Sequence, residues 1–187
     1  KAAIAAMIYA AAALRELGDF PGKLSLALTA DEENGSRLGS KWLAAEGYIA
    51  ADVCVIGEPA GVQEEWESIH LVSRGAALFK VIVLGTQMHS SISDQLPGVN
   101  ATLKMAELAL KMQRELRDYL TFDDHEYCRF GPTVNVGVMA EAGVTYGVFP
   151  GRAEFATDVR TLPGMTEEQL KVDVQRFLDD AMAADPE

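Results

Sequence analysis

The sequence predicts an α/β unit up to about residue 72, followed by a ferredoxin-like α+β unit from about 73 to 187. Two patterns predict this. The first third alternates helical and strand-like runs, the rhythm of a parallel sheet covered by helices. The remainder reads strand, helix, strand, strand, helix, which is one strand short of a βαββαβ unit. The chain has 187 residues, 49% of them hydrophobic and 24% charged. That is an ordinary globular balance, long enough for one domain or two small ones.

In the first unit, "AAIAAMIYAAAALREL" (2–17) reads as a buried helix stopped by Arg15 and Gly18. A charged residue before 13 apolar ones also fits a secretory signal. The run falls short of the ~20 residues a membrane span needs. "KLSLALTA" (23–30) places Leu24, Leu26 and Leu28 at period two, a strand. "SRLGSKWLAAEG" (36–47) reads as a helix ended by Gly47. "DVCVI" (52–56) reads as a short buried strand.

In the second unit, "GAALFKVIVLG" (75–85) is a strand and residues 98–120 form a long amphipathic helix with Leu103, Ala106, Leu110 and Leu116 on its apolar positions. "TVNVGVMA" (133–140) and "RAEFATDVR" (152–160) are strands joined by a Gly-rich turn. Residues 166–182 form a helix with Thr166 as N-cap and acids in its first turn. A closing strand is expected beyond Glu187. Lys1 begins inside an element, so both ends read as cut from a longer chain.

The formal net charge of −12 argues against nucleic acid as a partner. Cys54 and Cys128 are too few and too scattered for a disulfide framework or a thiolate metal site. A reducing compartment, the cytoplasm, is the expectation.

Chemistry gathers where the strands end. Glu32 and Glu33 follow the strand ending near Ala30, and Glu58 follows the one ending near Ile56. Open α/β sheets place ligands outside the carboxyl ends of their strands. Paired strands lie ~4.8 Å apart, so their terminal carboxylates can converge on one cation. Adjacent residues point in different directions. One of Glu32 and Glu33 can therefore bind a metal while the other takes a proton from metal-bound water. A solvated acidic turn is the plainer alternative.

The motifs "TADEENGSRLGS" (29–40), "IGEP" (56–59), "RGAALFKVIVLGTQMHSS" (74–91), "GVNA" (98–101), "TVNVG" (133–137) and "VFPGRAEFATDVRTLPG" (148–164) occur in order along nearly the whole chain. In this the chain resembles the zinc-dependent exopeptidase and deacylase family of acetylornithine deacetylase, succinyl-diaminopimelate desuccinylase, aminoacylase and the glutamate carboxypeptidases. The resemblance implies part of a catalytic domain over 1–72 and a lid and dimerisation domain over 73–187. It implies two zinc ions per subunit in the complete enzyme, with cobalt or manganese as substitutes. Glu32 looks like the general base, and Glu33 and Glu58 look like ligands of one metal each. His89 looks like the lid histidine that reaches into the partner's active site and stabilises the oxyanion. Arg160 looks like the arginine that grips a substrate carboxylate.

The departures are specific. The family's His-x-Asp metal histidine is absent. Its bridging aspartate would lie two residues before Lys1, and its last metal histidine would follow the lid. Where several members carry Asn before Val-x-Pro, this chain has Gly147. Ser90 and Ser91 lack a nucleophile elbow. Asp123, Asp124, His125, Glu126 and Cys128 read as a solvated connection, and Glu64, Glu65 and Glu67 as a solvated face. His70 has no partner in view, Trp42 and Trp66 read as packing residues, and Arg160 has Asp158 as a plain ion-pair partner. The expected activity is hydrolysis of the amide in N-acyl amino acids or short peptides by a homodimer. The alternative is a fragment, or a metal-free relative, that serves only for dimerisation or binding.

Overall fold

The computed structural model describes residues 2–58, 61, 64 and 67–185. Lys1, Pro59, Glu65 and Trp66 lie outside the described residues.

The chain divides into two compact units, Lys1–Ile69 and His70–Glu187. In the first, helix α1 spans Ala2–Leu17, a one-turn 3-10 helix spans Glu32–Asn34, and helix α2 spans Ser40–Ala45. The strands expected at 23–30 and 52–56 do not form among the described residues. A strand is defined by its ladder, and no ladder forms among the described residues of this unit. Its apolar side chains stay exposed in consequence, Val53 and Val55 to 79% each. The buried helix expected at 2–17 is a helix, but none of its residues is buried. It passes close to Gly57, where an added Cβ would stand 2.7 Å from Ala3 Cβ.

The second unit follows the expected order more closely. Strand β1 (Gly75–Leu84) leads through a short strand β2 (Met88–His89) to helix α3 (Ala101–Tyr119). Strand β3 (Thr133–Ala142), a short β4 (Val148–Phe149), β5 (Arg152–Thr161) and helix α4 (Glu167–Ala184) complete it. The main sheet is antiparallel with order β1-β5-β3, and β2 pairs with β4 apart from it. Neither short strand stands out in the sequence, because two residues carry no periodicity.

The helices cover one face of the sheet. On central β5 the residues Ala153, Phe155, Thr157 and Val159 are buried, with period two. Phe155 and Val159 meet Met112 and Leu116 of α3 and Leu170 and Phe177 of α4 in one core with Val81 and Leu120. The Tyr119 ring stands edge-on to Phe177 at 5.3 Å. Asn100 starts α3, its Oδ1 accepting from the amides of Thr102 and Leu103. Thr166 starts α4 in the same way through Gln169 N–H.

One acid sits inside this core. Asp173 is fully buried between Leu170 and Phe177 on the inner face of α4. Its carboxylate accepts from Thr121 N–H at 2.7 Å, Thr121 hydroxyl at 3.1 Å and Gln169 Nε2 at 3.1 Å. It thereby ties α4 to the chain leaving α3, as a buried charge requires.

Candidate active-site residues

The acidic turn owes its shape to its first residue. Asp31 holds φ +73°, a left-handed conformation that Asp tolerates better than most residues. Its carbonyl accepts from Asn34 and Ser36 N–H, and its Oδ2 accepts from Leu38 N–H at 2.7 Å. Asp31 is thus spent on the turn. Glu32 and Glu33 sit on the 3-10 turn rather than on extended chain, and both are exposed. At three residues per turn, neighbours still diverge by about 120°, so the two carboxylates remain free for separate roles. Gly39 lets the next helix close in, since a Cβ there would collide with Ala30 O. Glu58 is exposed at the end of the second apolar run.

Carboxylate oxygens are suitable donors for a hard or borderline cation. Among the described residues, however, no three His, Cys, Asp or Glu side chains form a group able to hold one. The donor chemistry of Glu33 and Glu58 suits a metal, but the described residues do not make a closed site.

His89 lies in the second unit, on a segment anchored at both ends. Gly85 N–H bonds Gly151 O, Thr86 N–H bonds Val99 O, and Val99 N–H bonds Thr86 Oγ1. Gly85 is required there, because a Cβ would collide with Val99 O. His89 pairs with Val148 across the β2–β4 ladder, and Ser90 N–H donates to Gly147 O at 2.9 Å.

The imidazole itself is oriented. Ser91 N–H donates to His89 Nδ1 at 3.2 Å, and Ser91 Oγ lies 2.7 Å from the same nitrogen. A backbone amide can only donate, so Nδ1 is the acceptor and the neutral ring carries its proton on Nε2. The side chain is exposed with that N–H free to donate outward. The motif marks His89 but gives Ser91 no such role. The signal for it is a hydroxyl residue two positions on, the spacing of a local side-chain turn.

Gly147 stands where several members of the resembled family carry Asn. It holds φ +78°. Of the residues with side chains, Asn is among those that best adopt this region, so the backbone there suits either residue.

Arg160 lies near the far end of β5, opposite Ala76 and Thr133. Its Nε and Nη2 both donate to Asp158 Oδ2, at 3.1 and 2.9 Å. The plain pairing with Asp158 is therefore present, and it aims the half-exposed guanidinium. His89 lies beyond the other end of the sheet, past the Leu84–Arg152 pair. Eight residue steps lead from Arg152 to Arg160 along β5, about 27 Å at ~3.4 Å each. The two residues thus belong to opposite ends of the sheet.

The remaining candidates stay plain. His125 and Cys128 form an isolated bridge, with Tyr127 N–H on His125 Nδ1. His70 and Glu64 are exposed. Trp42 is 47% exposed and packs against Tyr48 at 5.6 Å.

The sequence profile of the peptidase dimerisation domain (M20_dimer) matches residues 71–186. The chain belongs to the M20 peptidase dimerisation-domain family. The M20 match covers the second unit, with β1 to α4 and both His89 and Arg160. Among curated relatives, the succinyl-diaminopimelate desuccinylase of Methylobacillus flagellatus is 31% identical over 96% of this chain and 47% of its own length. That of Phenylobacterium zucineum is 30% identical over 91% of this chain and 44% of its own. That of Rhizorhabdus wittichii is 38% identical over 48% of this chain and 24% of its own. The chain thus spans less than half the length of these M20 relatives.

Proposed function

We propose that this chain is the central part of a metal-dependent M20 amidohydrolase that cleaves the amide of an N-acyl amino acid or short peptide as a homodimer. Residues 1–72 would supply part of the catalytic α/β domain and 73–187 the lid and dimerisation domain. The curated relatives named above make an N-succinyl amino acid the first substrate to try. Glu33 and Glu58 would each hold one of two metal ions, zinc by family resemblance. When bound, such ions polarise a carbonyl and lower the pKa of water.

The chain's own residues would do the rest. Glu32 would accept the proton of the attacking water and pass it to the leaving amine. His89 would donate Nε2–H to the oxygen that gains charge, a donor already oriented before substrate arrives. Arg160, held by Asp158, would receive the free carboxylate of the substrate. The observation that supports this reading is His89: its Nδ1 is satisfied by Ser91, which leaves Nε2–H as the donor of an exposed side chain. His89 follows the end of β1 that pairs with Arg152, about 27 Å along β5 from Arg160, and this supports the homodimer, with each site taking its histidine from one copy and its arginine from the other. We place the protein in the cytoplasm, in keeping with Cys54 and Cys128 being unpaired.

The test is Glu32→Gln in the full-length protein. Hydrolysis of N-succinyl and N-acetyl amino acids should vanish while bound metal, measured by atomic emission, stays near wild type. Retained turnover would overturn the assignment of Glu32. A second reading, a dimerisation module without its own chemistry, is favoured by the family match, which covers the dimerisation domain over residues 71–186. Full-length protein that holds no metal after careful loading would establish it.

A further inference from the structure

The two edges of the main sheet differ. The β1 edge is bonded to β5 on one side. The β3 edge is divided by a side chain. Gln113 of α3 donates from Nε2 to Val134 O at 3.1 Å and accepts Val136 N–H on Oε1 at 3.0 Å. Its amide therefore occupies the outward carbonyl of Val134 and the outward N–H of Val136, where a neighbouring strand would bond.

Past Val136 the strand changes. Its register shifts between Val136 and Met139, around Gly137 at φ +74°, a bulge of the kind that interrupts edge pairing. It then pairs regularly, Met139 with Ala156 through Ala142 with Ala153. Outward groups alternate along an antiparallel strand. Since Val134 and Val136 face out, Asn135 and its partner Asp158 face each other. By the same alternation on β5, Met139 and Glu141 face inward and Ala140 and Ala142 outward. Gly143 N–H on Arg152 O continues that alternation.

This second half, "VMAEA" (138–142), lacks the Lys, Pro or further bulge that usually guards an open edge. It is exposed throughout. The face of α3 that carries Gln113 also carries Leu110, Ala106 and Leu103, at intervals of three and four. Leu103 and Leu110 are 62% and 61% exposed. The start of α3 lies at this end of β3, because Ala101 N–H bonds Pro150 O close to the Gly143–Arg152 pair. An unpaired edge and an apolar helix stripe therefore run side by side.

We propose that Gln113 is a register stop that confines edge-to-edge pairing of two copies of this chain to residues 138–142, with the two-fold axis at Ala140. This rests on the homodimer reading above and goes beyond it by fixing the strand, the register and the residue that sets them. An axis at Ala140 pairs Ala140 with itself and Val138 with the partner's Ala142, which uses every outward group of the open half. An axis at Val138 would pair Val136 with the partner's Ala140 and would need the outward N–H of Val136, which Gln113 holds. Across the axis the Leu103–Ala106–Leu110 stripe meets its own copy, and Ala140 and Ala142 leave room for it.

The test uses the 187-residue chain with Cys54 and Cys128 replaced by Ser. Light scattering should report a dimer, and Leu110→Asp should weaken it by more than about tenfold. Under mild oxidation Ala140→Cys should form a covalent dimer, while Val138→Cys and Asn135→Cys stay at background. Adding Gln113→Ala should raise the yield at Val138→Cys and lower it at Ala140→Cys. A monomer would overturn the homodimer reading itself. A dimer in which Ala140→Cys does not cross-link, or whose yields ignore Gln113→Ala, would overturn only the register stop.

Discussion

Replacing Asp173 by Ala tests the packing of the second unit. The carboxylate is wholly buried and holds Thr121 by amide and hydroxyl at once. Its contact with Arg176 at 3.3 Å adds little, because that guanidinium is 55% exposed and screened by water. The cost therefore lies in the Thr121 and Gln169 donors. A hydrogen bond to a charged group contributes about 1.5–3 kcal/mol, and a stranded buried donor costs about 1–3 kcal/mol. These terms share one carboxylate and do not add fully, so the loss should be about 3–5 kcal/mol. For a unit of this size that is a fall in Tm of roughly 12–20 °C. Differential scanning calorimetry of the whole chain measures it, with the near-UV signal of Tyr119 on Phe177 marking the transition of this unit. Asp173→Asn, which keeps one acceptor, should lose about half as much. A fall of under about 3 °C for the Ala variant would refute the reasoning, because it would mean that water replaces all three contacts.

Two further outcomes follow from the geometry of His89 and of Glu154. Ser91→Ala in the full-length protein should lower kcat several-fold with little change in KM, since the hydroxyl partner of His89 Nδ1 is lost; an unchanged kcat would remove Ser91 from any positioning role. The Glu154 carboxyl is held below the ordinary carboxylate value by hydrogen bonds from Lys80 and then Arg152, so its contribution to stability is present above that ordinary value and is lost as pH falls through the lowered one. A carboxyl NMR titration should find that lowered midpoint, and Lys80→Met should move it upward.

Much of the second unit is legible in the sequence because its patterns are local. Period two on β5 and the 3–4 spacing on α3 and α4 name the buried side chains directly. Asp173 on the inner face of α4 is legible as an anomaly, an acid among apolar positions, though its partner Thr121 lies 52 residues away. The first unit is less legible. Alternating leucines at 24, 26 and 28 and the apolar run at 52–56 have strand composition, but a strand also needs neighbours to bond, and composition says nothing of those. Ser91 and Gln113 escape notice for another reason. Each acts through side-chain contacts to backbone or ring atoms, which leave no periodic trace. The acids of "ADEEN" stand out by position, and the φ of Asp31 together with its bond from Leu38 N–H separates the residue that builds the turn from the two it presents.

The distance between the histidine end and the arginine end of the sheet has a genetic consequence. If each catalytic centre borrows one residue from either copy, neither copy is self-sufficient. A chain lacking His89 and a chain lacking Arg160 would both be dead alone. Mixed together, they would assemble some hybrids in which both defects fall on the same centre, leaving the other whole.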